Sequence, residues 1–471
     1  MKNAPRQFGK PFGSAWALSI IVLAGCVVGP NYRRPALDTL PAFRGGPAEA
    51  PFASLADLPW WNVFQDTTLT NLIGAALTNN FDVRIALARI EQARAVATQV
   101  RSGFAPQVGY GADASRGRNA LEGKAAVNNG QTLNAFIGTL NVAWEIDLWG
   151  RVRRLDEAAQ AQWLASVEAR RGVELTLIAA VAQTYFELLE LDTLREIAGR
   201  TAESFRGSLK IFGERLAGGV ASKLETARAE GALAATLALL PELDRQRALK
   251  ENALAVLLGK NPAALPLTAT LLQQRLPPDV PAGLPAALLE RRPDLREAEQ
   301  NLRAANAQVG VAVGDFLPRI GLTALFGTAS PDLNALTAGS SRAWALDANL
   351  TGPLFQGNRL VGAYRQVRAA RDEAELRYRQ TALNAFREVS DALCSRQRFE
   401  ETRLQQARAV AAYEEAVQVA RARYRAGRAG YYEVLEAQQQ LFPAENALAA
   451  TQLNQLLVIV QLYKALGGGW R

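Results

Sequence analysis

The side chains that most often perform chemistry are scarce in this sequence. It contains no histidine, and its single methionine is Met1, so the commonest general base and several common metal ligands are missing. Residues Gly109 to Ala114 fit the GxGxxA form of a dinucleotide-binding turn, but the residues that follow, SRGRN, do not begin an amphipathic helix. The carboxylates have spacings typical of solvated helix faces. The sequence therefore predicts no enzyme, no cofactor and no metal site.

Cys26 is the residue for which the sequence predicts a covalent modification. It follows a basic start and an apolar run from Ala15 to Ala24. This run has about ten residues, whereas a transmembrane helix needs about twenty, so residues 1–25 are interpreted as a signal peptide rather than a permanent anchor. The residues LAGC resemble the lipobox of bacterial lipoproteins, in which the cysteine receives a diacylglyceryl group. A chance cysteine in an ordinary signal peptide is the alternative.

Charge and cysteine content narrow the classes of protein further. Removal of residues 1–25 takes three positive charges from a formal net charge of +8, and the remainder is too small and diffuse for nucleic-acid binding. The second cysteine, Cys394, stands alone in a helical pattern, so no intrachain disulfide is expected. Val27 and Val28 follow the lipobox in place of an aspartate that would resemble an inner-membrane retention signal. We therefore expect a lipid-anchored protein of the outer membrane.

The chain repeats itself. Residues from Phe81 resemble residues from Pro293 at an offset of 212, and a second block from Arg215 matches one from Arg423 at an offset of 208. A proline-rich stretch, Gly259 to Pro285, separates the two copies, and its prolines exclude a continuous helix. The sequence thus predicts an internal duplication.

Each copy contains segments in which apolar residues recur at every second position. Four segments alternate apolar and polar residues, which predicts four strands in two hairpins. The apolar positions are Val108, Tyr110, Ala112 and Ala114; Leu140, Val142, Trp144, Ile146 and Leu148; Ile320, Leu322, Ala324 and Phe326; and Trp344, Leu346, Ala348 and Leu350. Half of a soluble β-sandwich would alternate in the same way. The lipobox favours a transmembrane barrel, which copies of the chain must complete because an open edge cannot lie in lipid.

Helical periodicity follows in each copy over a very long distance. No proline interrupts Arg151 to Leu216 or Leu360 to Tyr424, and each run would reach nearly 100 Å at about 1.5 Å per residue. Glycine turns follow both runs, and then returning helices are predicted from Ser222 to Leu258 and from Tyr431 to Leu466. Their many alanines favour close, coiled-coil-like packing. Strands in the membrane and long hairpins outside it together describe a tube.

The sequence resembles the TolC-like outer-membrane factors, and within them the OprM- or NodT-type efflux lipoproteins. The most specific stretches are CVVGPNYRRP from Cys26, WW with a following FxD from Trp60 to Asp66, and GLPAALLERRPDLREAEQNLRAANAQVGVAVGDFLPRI from Gly283. The resemblance implies a mixed α and β membrane protein, a homotrimer whose four strands per chain build a twelve-stranded barrel above a periplasmic helical tunnel. It also implies a periplasmic adaptor and an inner-membrane pump, commonly of the resistance-nodulation-division type.

The resemblance also implies where the tunnel closes. The stretch YRAGRAGYYEVLEAQ places Tyr424 and Gly427 on the family's Tyr-x-x-Gly motif, and Glu433 and Glu436 on its acidic positions, three apart on one helical face. Six such carboxylates around one axis would attract cations. Solvated outer-face glutamates, and a packing role for Tyr424, are the alternatives.

Two departures from the family pattern concern basic residues at the tips. Arg428 lies beside the position where some members carry a basic locking residue, although the strictly aligned residue is Ala429, and Lys223 replaces an acidic gate partner. The predicted periplasmic gate therefore comprises Tyr424, Glu433, Glu436, Arg428 and Lys223. The predicted adaptor contacts are Gly219, Val220, Ser222 and Gly427.

The predicted organisation has eight segments. They are the signal peptide 1–25, a lipidated N-terminal segment with the first helices 26–105, a barrel hairpin 106–148, a tunnel hairpin 149–258, a linker 259–292, a helix 293–317, a second barrel hairpin 318–354 and a second tunnel hairpin with the C-terminal segment 355–471. The predicted function is a passive, gated outer-membrane channel of a tripartite efflux system. A type I protein-secretion duct and a structural envelope lipoprotein without a pore are the alternatives.

Overall fold

The computed structural model describes residues 27–39, 41–46, 64–118, 121–122, 125–126, 132–220, 222–265, 269–274 and 285–468. Its helices are α1 Thr67–Asn79, α2 Phe81–Arg101, α3 Arg151–Ala217, α4 Lys223–Leu257, α5 Leu288–Arg291, α6 Pro293–Gly314, α7 Arg359–Arg425 and α8 Tyr431–Ala465. Its strands are β1 Gln107–Arg118, β2 Leu121–Glu122, β3 Ala125–Ala126, β4 Thr132–Ile146, β5 Arg319–Ser330 and β6 Arg342–Thr351. The predicted signal peptide, Cys26 and the WW pair at 60–61 lie outside the described residues.

The four long strands form one antiparallel sheet in the order β1-β4-β5-β6. The two predicted hairpins are confirmed, and β4 and β5 join them along eleven register pairs, from Phe136 with Ser330 to Ile146 with Ile320. The expectation that Leu148 continues the alternation is wrong, because β4 ends at Ile146. Four residues after Ile146 the chain turns through Gly150, whose φ is +79°, into the next helix.

One face of this sheet is apolar, and no other described part of the chain covers it. Tyr110, Leu140, Phe326 and Trp344 lie side by side across the four strands, and Tyr110 and Trp344 are 87% and 72% exposed. Such a contiguous apolar surface is rare on a protein that water surrounds. The outer edges of β1 and β6 have no partner strand among the described residues.

The long helices confirm the duplication. Helices α3 and α7 each contain 67 residues, and α4 and α8 each contain 35. The first and last residues of α7 and α8 each lie 208 positions after those of α3 and α4, which is the offset of the second matching block in the sequence. The helices begin and end within one residue of the predicted limits. One 18-residue window of α3 is apolar enough for a membrane span, but half of it is buried within the protein.

The chain divides into two compact units, and the first contains the sheet. This unit comprises the described parts of Met1–Pro35, Ile90–Ser166 and Ala298–Tyr378. Its N-terminal strap, residues 27–35, is fixed by Arg154 and Glu299, both almost fully buried. Arg154 donates to the Val28 carbonyl at 3.1 Å and to Asn31 Oδ1 at 2.7 Å. The strap therefore contacts α3 from the first repeat and α6 from the second.

Glu299 fixes the other end of the strap. It accepts hydrogen bonds from Tyr32 at 3.3 Å, Arg34 Nε at 3.0 Å and Arg303 at 2.8 Å. Burial alone would raise the pKa of this carboxyl, but the hydrogen bonds from Arg34 and Arg303 outweigh burial and lower the pKa. Gly29 has a φ of +86°, and a Cβ there would lie 2.4 Å from the Cα of Gly310. The strap thus lies too close to α6 for a larger residue.

The second unit contains the C-terminal parts of α3 and α7 and the whole of α4 and α8. It comprises the described parts of Ala36–Arg89, Val167–Glu297 and Arg379–Arg471. Its core includes the fully buried Tyr185, whose hydroxyl donates to Asp66 Oδ2 at 2.7 Å while the other oxygen of Asp66 caps α1. The buried Arg292 pairs with Asp294 and Glu388 and donates to the Ala465 carbonyl at 2.8 Å. The Tyr185 contact lies within the first half of the chain, and the Arg292 contacts lie within the second.

Candidate functional site

The hairpin tips lie in the second unit, and the first tip turns at Gly219. This glycine has a φ of +73°, which L side chains rarely adopt. Its N–H bonds to the Leu216 carbonyl, and the Val220 N–H bonds to the Arg215 carbonyl, which together form a Schellman motif. Ser222 then caps α4 in a reciprocal capping box with Glu225. The first tip is therefore firmly terminated on both sides.

The second tip repeats the turn without the cap. Gly427 has a φ of +69°, and the Arg428 N–H bonds to the Arg423 carbonyl. Gly430 occupies the N-cap position of α8 and has no side chain with which to cap the first N–H groups of that helix. The second tip thus has the same path as the first but a weaker helix start.

Three aromatic rings pack directly behind the turns. The centre of the Phe212 ring on α3 lies 3.9 Å from the centre of the Tyr431 ring on α8 and 6.4 Å from the centre of the Tyr424 ring on α7. Both ring pairs have edge-to-face geometry. Arg215 donates to the hydroxyl of Tyr424, and its guanidinium carbon lies 5.2 Å from the ring centre. Tyr431 is buried, which raises the pKa of its phenol. This cluster joins the first hairpin to the second.

Polar contacts continue this junction away from the tips. Ser204 on α3 accepts from Gln438 Nε2 at 2.6 Å and from Arg421. One helical turn further, Arg200 donates to Glu445 at 2.5 Å. Burial raises the pKa of the Glu445 carboxyl, and Arg200 offsets this only in part. We call these contacts the hairpin seam; its members are Arg200, Ser204, Phe212 and Arg215 on the first hairpin and Arg421, Tyr424, Tyr431, Gln438 and Glu445 on the second.

The packing of the seam is incomplete. A cavity of about 270 Å³ lies along it, between Ser204 and Ser208 on one side and Tyr424, Arg421 and Tyr431 on the other. A buried apolar cluster that includes Phe205, Phe212, Ala420 and Val434 packs beside this cavity, so apolar packing, ring contacts and hydrogen bonds together hold the two hairpins.

The structure brings only one of the predicted gate residues into the seam. Tyr424 lies there, while Glu433 and Glu436 lie exposed on α8, and Glu433 pairs with Arg423 of its own hairpin at 3.8 Å. Arg428 and Lys223 are exposed at the turns, and neither makes an ion pair within the described part of one chain. The predicted adaptor contacts Gly219, Val220, Ser222 and Gly427 are all exposed at the tips.

Sequence reasoning missed the other members of the seam. Arg215 and Tyr424 are 209 residues apart, and Ser204 and Gln438 are 234 apart, so no local pattern connects them. A usable signal existed for one of them, since the duplication aligns Arg215 with Arg423 just before the two glycine turns.

A comparison with protein families decides what these features belong to. The model of a family described as "Outer membrane efflux protein" matches residues 72–260 and 284–468, which are the two repeats. The chain belongs to the outer membrane efflux protein family.

Individual relatives match over nearly their whole length. The chain is 35% identical to the toluene efflux pump outer membrane protein TtgC of Pseudomonas putida over 460 residues, 96% of this chain and 95% of that protein. It is 36% identical to the outer membrane protein OprJ of Pseudomonas aeruginosa over 467 residues, 98% of this chain and 96% of that protein.

Solved structures show the same fold. The outer-membrane channel OprN superimposes with a TM-score of 0.87 at 30% identity, covering 94% of this chain and all of that one. The open state of the MtrE outer membrane channel of Neisseria gonorrhoeae gives a TM-score of 0.85 at 29% identity, covering 95% and 99%. The fold is that of the trimeric outer-membrane channels, and the chain is an outer-membrane efflux component.

Proposed function

We propose that three copies of this chain form a passive, gated channel, and that a periplasmic adaptor and an inner-membrane pump of the resistance-nodulation-division type deliver small toxic molecules to it. The observation that carries the proposal is the four-stranded sheet with an exposed apolar face and two edges that have no partner strand in the described part of the chain. A sheet edge cannot remain open in lipid, so β6 of one copy would pair with β1 of the next. Because the four strands alternate in direction, this pairing is antiparallel and closes with any number of copies.

The opposite face of the sheet suits a wet lumen. Asn141, Asp347 and Asn349 point away from the apolar rows, and Asp347 lies opposite Thr323 in the register of β5 and β6. Polar interiors and apolar exteriors distinguish transmembrane barrels from the sandwiches of soluble proteins. The chain itself needs no chemistry for this task, since the pump supplies the energy.

We place the narrow point of the channel at Glu433 and Glu436. Both carboxylates are exposed in the single chain, and no neighbour on the described residues of the same chain covers Glu436. In a ring of three copies they would form a cation-attracting constriction. The exposed turns around Gly219 and Gly427 would receive the adaptor.

The test is single-channel recording of the purified protein in planar bilayers. Wild type is expected to give rare, small, cation-selective openings, and the Glu433→Ala, Glu436→Ala double variant is expected to give larger openings with weaker cation preference. Glu401→Ala, which removes an exposed carboxylate elsewhere on α7, is the matched control. Unchanged conductance and selectivity in the double variant would remove the constriction from these residues, and a protein that inserts but never conducts would refute the channel.

The lipid anchor needs a separate test because Cys26 lies outside the described residues. The strap that follows it is firmly held on unit 1, which contains the sheet, so an acylated Cys26 would be tethered closely to that unit. Labelled palmitate is expected to enter wild type but not Cys26→Ser. Equal labelling of both would refute acylation at this residue.

A further inference from the structure

The cavity on the hairpin seam is large enough to hold a small molecule. Its volume is about 270 Å³, and an apolar cavity of about 150 Å³ is already large enough to bind benzene. All of the residues that line it belong to the second unit. The cavity therefore lies within one compact body, and its lining shows which kind of molecule would fit.

The floor of the cavity is mainly apolar and aromatic. Tyr431 and Val434 on α8 are buried there, and Ile211 on α3 and Tyr424 on α7 also line it. Aromatic rings and branched aliphatic side chains pack favourably against another ring. A molecule that fills this space must therefore have an apolar body, for which an aromatic ring is well suited.

Hydroxyl groups add a polar point to the floor. The hydroxyl of the buried Ser208 donates to the Ser204 carbonyl at 2.9 Å. The hydroxyl of Tyr431 lies 3.5 Å from Gln438 Oε1, which is longer than a well-formed O–H···O bond. Burial raises the pKa of Tyr431, so its phenol keeps its proton at neutral pH and can donate it to an oxygen of a ligand.

The mouth of the cavity has an excess of positive charge. Arg421 and Arg425 are exposed at its rim, and neither makes an ion pair with an acidic residue in the described part of the chain. Arg421 donates instead to the hydroxyl of Ser204. The acidic lining residue Glu203 is already paired with Arg206 of its own helix. The mouth therefore favours an anion, and guanidinium groups bind a carboxylate through two parallel hydrogen bonds.

A glycine keeps the mouth open. Gly207 lies inside α3 and lines the cavity, and a Cβ built on it would meet no atom within 4 Å. Glycine is less favourable than alanine in the middle of a helix, so the needs of the helix do not explain the open space. Any larger side chain at this position would reduce the room for a ligand.

We propose that the cavity binds a small aromatic carboxylate, whose ring packs against Tyr431 and Val434 and whose carboxylate is held by Arg425 and Arg421. An inorganic anion would leave the apolar floor uncovered, and an uncharged aromatic molecule would leave both guanidinium groups without an acidic partner. The proposal goes beyond the channel function and does not depend on it, because one chain supplies all of the lining.

Isothermal titration calorimetry of the full-length protein in detergent tests the proposal. The probe is 2-naphthoate, its uncharged analogue is 2-naphthalenemethanol, and the heat from protein-free micelles is subtracted. Titrations at two temperatures ensure that a binding enthalpy near zero at one of them is not missed. We expect one saturable site per chain for 2-naphthoate and about tenfold weaker binding of the alcohol. Equal affinities would overturn the anion site, and the absence of saturable heat at both temperatures would overturn the cavity as a binding site.

Two pairs of variants locate the binding site. Gly207→Leu fills the mouth, and Gly213→Leu, at another glycine of α3 with open space around it, is its control. Arg425→Gln removes a guanidinium from the mouth, and Arg408→Gln, at another exposed residue of α7, is its control. Gly207→Leu and Arg425→Gln are each expected to weaken 2-naphthoate binding about tenfold, and the controls are expected to change it by less than about twofold.

The uncharged analogue separates a lost charge from a lost fold. Arg425→Gln is expected to leave the binding of 2-naphthalenemethanol unchanged, and thermal unfolding verifies that each variant is folded. Unchanged 2-naphthoate binding in Gly207→Leu would place the ligand elsewhere and overturn the proposal. Equal losses in a variant and its control would also overturn it, because they would indicate adventitious binding to exposed arginines or to detergent. These titrations need no conductance, so their failure would leave the channel proposal untouched.

Discussion

Replacement of Leu346 by arginine tests whether the apolar face of the sheet meets lipid. Leu346 is 76% exposed and lies in a row with Ala324 and Val142, between other apolar rows. Arginine near the bilayer midplane costs about 2–4 kcal/mol in a transmembrane barrel, which is a roughly 30- to 900-fold loss in the folding equilibrium constant. On a face exposed to water, the same change would cost within about 0.5 kcal/mol.

Asp347 supplies the control because it is the next residue on the same strand and points to the opposite face. Asp347→Arg also introduces a guanidinium but places it in the proposed lumen, where water remains available. Guanidinium-driven unfolding in phosphatidylcholine vesicles measures both variants. A destabilisation of Leu346→Arg no larger than that of Asp347→Arg would refute the assignment of the two faces.

Three further predictions concern the tips and the strap. Gly219→Ala is expected to destabilise the folded protein by roughly 1–2 kcal/mol, because Gly219 has a positive φ that alanine adopts only with strain. Gly231 lies inside a helix with space for a Cβ, so Gly231→Ala is expected to stabilise the protein by about 0.5–1 kcal/mol. Thermal unfolding compares the two variants. Because the folded protein lowers the pKa of Glu299, the ionised carboxyl stabilises the fold above pH about 4.5, and this stabilisation disappears as the pH falls further. The difference in melting temperature between wild type and Glu299→Gln is therefore expected to shrink as the pH is lowered. A difference that stays constant with pH would contradict this prediction. Arg215→Gln is expected to lower the free energy of unfolding by about 0.5–1 kcal/mol, because it removes a cation–π contact and a hydrogen bond to Tyr424. Tyr424→Phe keeps the ring contacts and is expected to cost less, and thermal unfolding compares the two variants.

Much of the fold could be predicted from local patterns. Period two located the four strands, and period 3.6 with glycine turns located the long helices, because each segment buries or exposes one face along its whole length. The strand limit at Leu148 was wrong for a local reason. Asp147 accepts hydrogen bonds from the N–H groups of Val152 and Arg153, so it belongs to the start of α3 rather than to β4.

The candidate site was less accessible to such reasoning. The glycine turns at Gly219 and Gly427 are local features that the sequence predicts. Glu433 and Glu436 were assigned to the gate through the family resemblance, and that assignment stays a prediction. The contacts that hold the hairpins together join residues more than 200 positions apart. The partner of Tyr424 therefore became known only when the fold placed Arg215 beside it.

The equal lengths of the paired helices place a restriction on how this protein can change. A residue inserted into α3 alone would advance the first tip by about 1.5 Å relative to the second, and it would also rotate every seam residue beyond the insertion by about 100°. Ser204 and Arg215 would then no longer meet their partners. Insertions and deletions within the long helices are therefore tolerable only in matched pairs, one in each repeat. The offset between the repeats changes from 212 to 208 across the strands, so this restriction applies to the helices and not to the segments that connect them.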